Sequence, residues 1–244
     1  MNKLKLLMGT IMLGFVFSTV SFANETYVLK NGESIQNVLN TCHDTADNHV
    51  TIYLEDGEYS PFSMIKPVSR ERYVDICGIN AGKVKVVSHS GRYTEPAAEI
   101  RTNGTISNII FINRIDKSKY SIEDIKNSGE RAGYAVHADY GKMNVKFLNC
   151  KMVSGQNVAL GMGLSKDSEV DIENCELIND TKSNPFGDGY YKLGSFYCHT
   201  DVHDVNQHTG VLKVKNTKFK RPDNAYGNYT IQSLFGSTVN FVEE

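Results

Sequence analysis

An asparagine returns in one setting along this chain: Phe111-Ile112-Asn113, Phe147-Leu148-Asn149-Cys150, Ile172-Glu173-Asn174-Cys175 and Val214-Lys215-Asn216-Thr217. Each follows a short alternating apolar stretch, and each of the last three is followed by another. Strand, asparagine corner, strand and loop, repeated, predicts a parallel β-helix, whose coils bury apolar residues only by stacking on their neighbours. Asparagine suits such a corner because its short amide tolerates left-handed backbone angles. It can also hydrogen-bond the Asn of the next coil, building a ladder. The intervals of 36, 25 and 42 residues imply a coil of about 25 residues interrupted by insertions of varied length. The insertions are where function is expected.

Residues 1–23 read as a cleavable signal peptide and not as part of the fold. Lys3 and Lys5 form a basic start, Leu6 to Val20 is mainly apolar, and Ser21-Phe22-Ala23 has the small-x-small pattern of a cleavage site. Residues 24–244 then form one parallel β-helix domain of a secreted or periplasmic protein, and no later segment is apolar enough to span a bilayer. Removing Lys3 and Lys5 leaves 24 basic against 28 acidic side chains, mixed along the chain. This carries no nucleic-acid footprint. Eleven Phe and thirteen Tyr without Trp supply aromatic surface suited to a sugar-binding rim.

The first coils follow a cap. Thr26 to Cys42 reads as a strand, a Gly turn and a short amphipathic helix with Ile35, Val38 and Leu39 on one face. Such a helix can plug the open end of a β-helix, whose edges would otherwise pair with another chain. Val50, Ile52 and Leu54 alternate before a turn at Asp56-Gly57. Five cysteines remain, an odd number. Cys150 and Cys175 occupy equivalent positions one coil apart; export favours a disulfide there, and stacked inward thiols fit the core equally well.

The runs Ser34-Ile-Gln-Asn-Val-Leu, Val50-Thr-Ile-Tyr-Leu-Glu-Asp-Gly-Glu-Tyr59 and Val74-Asp-Ile-Cys-Gly78 resemble the opening of pectin-lyase-like right-handed β-helix proteins. That superfamily includes pectate lyases, pectin methylesterases, polygalacturonases and phage tailspike glycanases. The resemblance implies an all-β fold, a right-handed parallel β-helix with a short N-terminal capping helix, and a polysaccharide ligand. Fold alone does not set the reaction. The methylesterase motifs do not carry over: Val158-Ala159-Leu160 lies near Gln156, but no Gln-Asp-Thr, Asp-Phe-Ile-Phe-Gly or Arg-Pro-Trp is present.

Lining up the coils by their asparagines brings three segments together: Gly133-Tyr-Ala-Val-His137-Ala-Asp139, Asn157-Val-Ala-Leu-Gly161-Met-Gly163 and Gly194-Ser-Phe-Tyr-Cys-His199-Thr-Asp201. Residues i and i+2 of a strand share a face, so each His-x-Asp presents imidazole and carboxylate together. Gly161 and Gly163 leave a notch between them. With strands about 4.8 Å apart, Asp139 and Asp201 would lie roughly 10 Å apart, near the upper end of the 6.5–9.5 Å used by inverting glycosidases. His137, Asp139, His199 and Asp201 are therefore the catalytic candidates, one acid protonating the leaving oxygen and the other activating water. Alternatively, the four side chains bind sugar hydroxyls without chemistry.

Cys198-His-Thr-Asp-Val-His203-Asp-Val-Asn-Gln-His208 admits a metal reading, with His199, Asp201 and His203 alternating onto one face. Calcium through Asp139, Asp201 and Asp204 is another possible cofactor, one that pectate-lyase-type relatives use to bind uronates. The glycine-rich loop 180–193 should rise over the notch. Its Phe186, Asp188, Tyr190, Tyr191 and Lys192 are substrate-binding candidates, with Tyr faces stacking on pyranose rings. Arg131, Lys142 or Lys192 would neutralise a uronate carboxylate or, in a lyase, abstract a proton. The insertion Arg114 to Arg131 is expected to wall the same face. At the other end, the last coil needs covering, which makes a homo-oligomer through the C-terminal end an expected arrangement.

The sequence thus predicts an exported enzyme that cleaves an acidic polysaccharide, by lyase or glycoside hydrolase chemistry. A glycan-binding module and a structural surface protein are the competing readings, and both need no perturbed carboxylate.

Overall fold

The computed structural model describes residues 24–65, 70–201 and 207–244; the segment 1–23 expected to direct export lies outside these. A first strand, β1 (Thr26–Leu29), leads into α1 (Ile35–Thr41). Coils of three strands follow: β2 (Val50–Leu54), β3 (Gly57–Tyr59) and β4 (Phe62–Ser63), then β5 (Val74–Gly78), β6 (Val84–Ser88) and β7 (Ala98–Glu99). The next holds β8 (Asn103–Ser107), β9 (Ile109–Asn113), the inserted α2 (Ile122–Asn127) and β10 (Val136–Ala138). It is followed by β11 (Asn144–Leu148), β12 (Lys151–Ser154) and β13 (Leu160–Leu164), then by β14 (Glu169–Glu173), β15 (Glu176–Asn179) and β16 (Phe196–Thr200). The chain closes with β17 (Thr209–Lys215), β18 (Lys218–Lys220), β19 (Tyr229–Gln232) and β20 (Thr238–Glu243).

Every third strand pairs in parallel with its counterpart one coil on. The result is three sheets: a first of eight strands (β1-β2-β5-β8-β11-β14-β17-β20), a second of six (β3 to β18) and a third of six (β4 to β19). This is the expected right-handed parallel β-helix. Alternation along each strand decides what faces inward. Val50, Ile52 and Leu54, then Val145 and Phe147, then Val170 and Ile172, are buried on the first sheet, and the residues between them face out. Such stacked aliphatic rows contribute roughly 1.5–3 kcal/mol per fully buried side chain.

The corners set the phase of the stack. Asn108, Asn149, Asn174 and Asn216 have φ of 60°, 53°, 54° and 46°, the left-handed region that Asn tolerates. Asn149 Nδ2 donates to Asn108 Oδ1 at 3.2 Å, and Asn216 Nδ2 to Asn174 Oδ1 at 2.7 Å. The ladder therefore runs through Asn108, which corrects the expectation that Asn113 is its first rung. Asn113 ends β9 and stands in register with Ser154 and, beyond it, Asn179. The preceding strand of that coil, Asn-Gly-Thr-Ile-Ser, carries too weak an apolar alternation to mark its own corner.

The N-terminal end is closed by α1 as expected. Ser34 Oγ accepts from Asn37 N, and Ile35, Val38 and Leu39 are buried. An ion cluster around the buried Asp44 anchors this cap: the exposed Arg70 Nη2 lies 2.8 Å and the buried Arg72 Nη2 3.1 Å from Asp44 Oδ1, while Arg72 Nη2 also donates to Leu39 O at 3.0 Å. Burial alone would raise Asp44, but the two guanidiniums and the Tyr73 N–H hold its carboxyl well below the usual range. At the other end, Tyr229 stacks on Phe196 at 4.8 Å and meets Phe219 and Phe241 edge-on. The thiols at positions 150 and 175 are free and inward, stacked so that Cys150 N donates to Cys175 Sγ at 3.4 Å. Burial pushes the Cys150 thiol up.

The corner geometry makes a direct prediction. Asn149→Val, which adds a β-branch at positive φ and removes the ladder amide, is expected to lower stability by about 2 kcal/mol. Asn149→Gly keeps the backbone angle and loses only the amide bond, so it should cost about half as much. Denaturant midpoints check the order; equal losses would contradict it.

Candidate functional site

The third sheet carries the site because its strands follow the long insertions. Along its outer face one row runs from Glu99 to His137, Gly161, Tyr197 and Thr230, in register across five strands. Two residues further along the strands, Gly163, His199 and Gln232 are in register, and Asp139 reaches into this second row.

The two glycines are occupied rather than open. A Cβ at Gly161 would collide with the Tyr134 ring, and one at Gly163 with the Asp139 carboxylate. Absence of side chains on β13 thus lets Tyr134 and Asp139 lie down across that strand. Asp139 Oδ2 comes to 3.5 Å from His137 Nε2 and 3.8 Å from His199 Nε2, and its Oδ1 accepts from Tyr140 N at 2.7 Å. His199 Nδ1 is 2.8 Å from Thr200 O. A carbonyl only accepts, so Nδ1 carries a proton, and Nε2 is the nitrogen that exchanges one: a lone pair when the ring is neutral, an N–H when it is charged.

Burial would raise the Asp139 carboxyl. Its contact with His137, the charge of that imidazole, the Tyr140 N–H and the charge of His199 outweigh this and hold it below the usual carboxylate value.

Aromatic rings enclose Asp139 and its two imidazoles. Tyr93, Tyr134 and Tyr140 each lie 5.2–5.3 Å from the His137 ring, and Tyr197 lies 5.1 Å from His199. The Tyr93 and Tyr140 hydroxyls are 3.2 Å apart; burial, followed by that contact, pushes the Tyr93 phenol up. Arg131 stacks over Tyr93 at 4.5 Å and Tyr190 at 5.7 Å. Together these residues line a cavity of about 280 Å³ with Arg131, His137, Asp139 and His199 on its surface.

Asp201 is not part of this cavity. Between β13 and β16 the register places Gly163 opposite His199, so the second His-x-Asp is displaced by two residues from the first. Asp201 instead accepts from Ser165 Oγ at 2.6 Å, buried beyond the site. The expected pair of carboxylates flanking a glycine notch is therefore replaced by one carboxylate between two imidazoles. The insertion between β15 and β16 is what hides this offset from residue counting.

Loop 180–193 contributes less than its composition promised. Tyr190 lines the cavity, and Arg131 Nη1 donates to its hydroxyl at 3.4 Å. Asp188 is a brace: Oδ2 accepts from Ala132 N at 2.8 Å and Oδ1 from Tyr190 N at 3.2 Å. Tyr191 and Lys192 line a different cavity with Asp223 and Asn224, and Phe186 lines neither. Gln156 and Asn157 are buried beside the loops; the Asn157 amide donates to Ala132 O at 2.7 Å. Among the described residues no cluster of three His, Cys, Asp or Glu is placed to hold a metal ion. His203 and Asp204, which the metal and calcium readings require, lie outside the described residues.

Tyr93, Tyr134, Tyr140 and Tyr197 were not anticipated. Tyr134 and Tyr197 have a sequence signal, since Tyr197 lies two residues before His199 on β16 and Tyr134 lies three residues before His137, just ahead of β10. Tyr93 arrives from a distant loop and has none.

No family model and no curated protein matches the sequence. Among solved structures, the chain is similar to an Asp-to-Ala mutant of a pectin methylesterase in complex with a hexasaccharide, with 11% identity, a TM-score of 0.46, and 91% of this chain and 93% of that one covered. It is also similar to a pectin methylesterase from Yersinia enterocolitica, with 13% identity, a TM-score of 0.41, and coverage of 86% and 93%. Among the described residues no helix is long and apolar enough to cross a membrane.

The depressed Asp139 carboxyl has a signed consequence. Its stabilising contribution is complete above the unfolded value of about 3.9 and is lost as pH falls through the lower folded value. Denaturant midpoints between neutral pH and strong acid should fall less steeply for Asp139→Asn than for the wild type. Gly163→Ala, which displaces the carboxylate, should flatten the same limb. Parallel curves for all three proteins would contradict the assignment.

Proposed function

We propose that the protein is an exported enzyme acting on an acidic polysaccharide laid across the third sheet, and that it cleaves the chain by β-elimination. The observation supporting this reading is the combination of one guanidinium, Arg131, with a single carboxylate, Asp139, set between two imidazoles. Hydrolysis by paired acids requires a second carboxylate in reach, and Asp201 is tied to Ser165 elsewhere.

Elimination at a uronate needs three things: a cation on the sugar carboxylate, a base at C5, and a proton for the leaving oxygen at C4. Arg131 suits the first, because a guanidinium takes a carboxylate bidentately and makes the C5 proton more acidic. His199 Nε2 suits the second. It takes the C5 proton, and the Asp139 carboxylate at 3.8 Å stabilises the imidazolium that forms. The C5 electron pair becomes the C4–C5 double bond as the C4–O bond breaks. The leaving oxygen takes its proton from the Tyr93–Tyr140 hydroxyl pair, whose Tyr93 member burial keeps protonated at neutral pH. His137, enclosed by three tyrosines, fixes Asp139 rather than meeting the substrate.

Glycan binding without cleavage is the second reading, favoured by the way His137 and the Tyr140 N–H already satisfy Asp139. An assay of the purified protein on acidic polysaccharides, following absorbance near 235 nm and reducing ends together, separates the two. The expected result is unsaturated product, lost by about 10²–10⁴-fold in His199→Asn, with Arg131→Ala acting mainly through KM. Reducing ends without absorbance would replace elimination by hydrolysis; binding with no product would establish the second reading.

A further inference from the structure

A second cavity, of about 430 Å³, opens on the N-terminal side of the site and is lined by Ser63, Glu95, Glu99, Lys119 and Tyr120 among others. It is built on the same sheet: Ser63 is in register with Glu99, and Glu99 with His137. Neighbouring strands lie about 4.8 Å apart, so the outer faces of β7 and β10 are separated by a distance close to the rise of one pyranose unit. The segment that carries Tyr93 into the first cavity continues as Thr94, Glu95 and Pro96 into the second. Tyr93 thus stands as the partition between two adjoining compartments.

The compartments differ in charge. The one beside Tyr93 on the C-terminal side presents Arg131, His137 and His199 against Asp139. The other presents Glu95 and Glu99 against His89 and Lys119, and the Lys119 ammonium is already 3.5 Å from Asp116 Oδ2. Glu99 is held in place: its Oε2 accepts from Ser63 Oγ at 2.5 Å, and Ser63 is clamped by Gln36 through Ser63 N→Gln36 Oε1 at 2.7 Å and Gln36 Nε2→Ser63 O at 3.1 Å. A fixed carboxylate accepts hydroxyl or amide hydrogens from a sugar and repels a sugar carboxylate.

We infer that the substrate is a heteropolysaccharide in which a uronate is joined to a sugar bearing no carboxylate, the uronate facing Arg131 and the uncharged unit facing Glu99. Contiguous uronates would put a second carboxylate against Glu95 and Glu99, and are selected against. This rests on the reading of the first cavity as a uronate site. Glu99 is then a specificity-determining residue rather than a catalytic one.

Calorimetric titration of the full chain with two probes tests the inference: a hexasaccharide alternating uronate with N-acetylhexosamine, and hexagalacturonate. His199→Asn is used as the background so that neither probe is consumed. The alternating probe should bind at least about tenfold more tightly, the equivalent of about 1.4 kcal/mol. Adding Glu99→Gln, which retains an acceptor for Ser63 Oγ, should cut that ratio to about threefold or less, mainly by tightening hexagalacturonate. Equal affinity for the two probes, or a ratio unmoved by Glu99→Gln, would overturn the inference while leaving the uronate site standing. Failure of both probes to bind would overturn the uronate site and the inference with it.

Discussion

In-register stacking of one coil on the next is the constraint on which everything else in this molecule rests. Each strand satisfies its backbone groups only through its counterparts one coil before and one coil after, so no coil is stable alone. Register must be held at the corners, where the chain turns and the ladder is interrupted. Asn108, Asn149, Asn174 and Asn216 do this at one corner by tolerating left-handed angles and, in two places, bonding each other. At the end of the second sheet a different polar row, Asn113, Ser154 and Asn179, turns inward and ties down the segments leading to the third sheet. Asn113 Nδ2 donates to Tyr134 O at 2.8 Å, Ser154 Oγ to Gly133 O at 3.1 Å, and Asn179 Nδ2 to Gly194 O at 2.7 Å. The row that fixes the coil therefore also fixes the approach of Tyr134, His137 and Tyr197 to the site.

The site follows from that rigidity together with two missing side chains. A strand of a parallel β-helix ordinarily crowds its outer face with a side chain every second residue. At Gly161 and Gly163 this crowding is lifted, so residues of β10 and its extension lean across β13 toward β16. A ring fills one gap and a carboxylate the other. Asp139 is thereby shared between imidazoles from the strands on either side of β13, an arrangement that favours its ionised form and places it where it stabilises a proton gained at His199 Nε2. Charge is arranged along the helix axis as well as across it, with the guanidinium on one side of Tyr93 and two glutamates on the other.

Much of this was legible in the residues. Short apolar alternations, asparagine corners and Ile35, Val38 and Leu39 on one helical face led directly to a capped β-helix. His137 opposite Gly161 and Asp139 opposite Gly163 could be aligned because only a short, uninterrupted coil separates those segments. What could not be read was register across an insertion. Between Asn179 and Phe196 the chain makes an excursion whose length says nothing about where the next strand begins, and a slip of two residues exchanged Asp201 for His199. Asn113 was misplaced for a related reason, since two adjoining strands of unequal apolar strength disguise which corner is which. Tyr93 enters from a loop that only the closed coil brings near, and the charge contrast between the two cavities depends on that loop.

The most direct measurement is a side-chain nitrogen NMR titration of the histidines with a uronate-containing oligosaccharide. Seven histidines report from different faces: His137 and His199 from the third sheet, His49 from the first. Shifts are expected to concentrate at His137 and His199 and to be abolished by Arg131→Ala. Shifts confined to His49, or undiminished without Arg131, would contradict the placement of the acidic sugar on the third sheet.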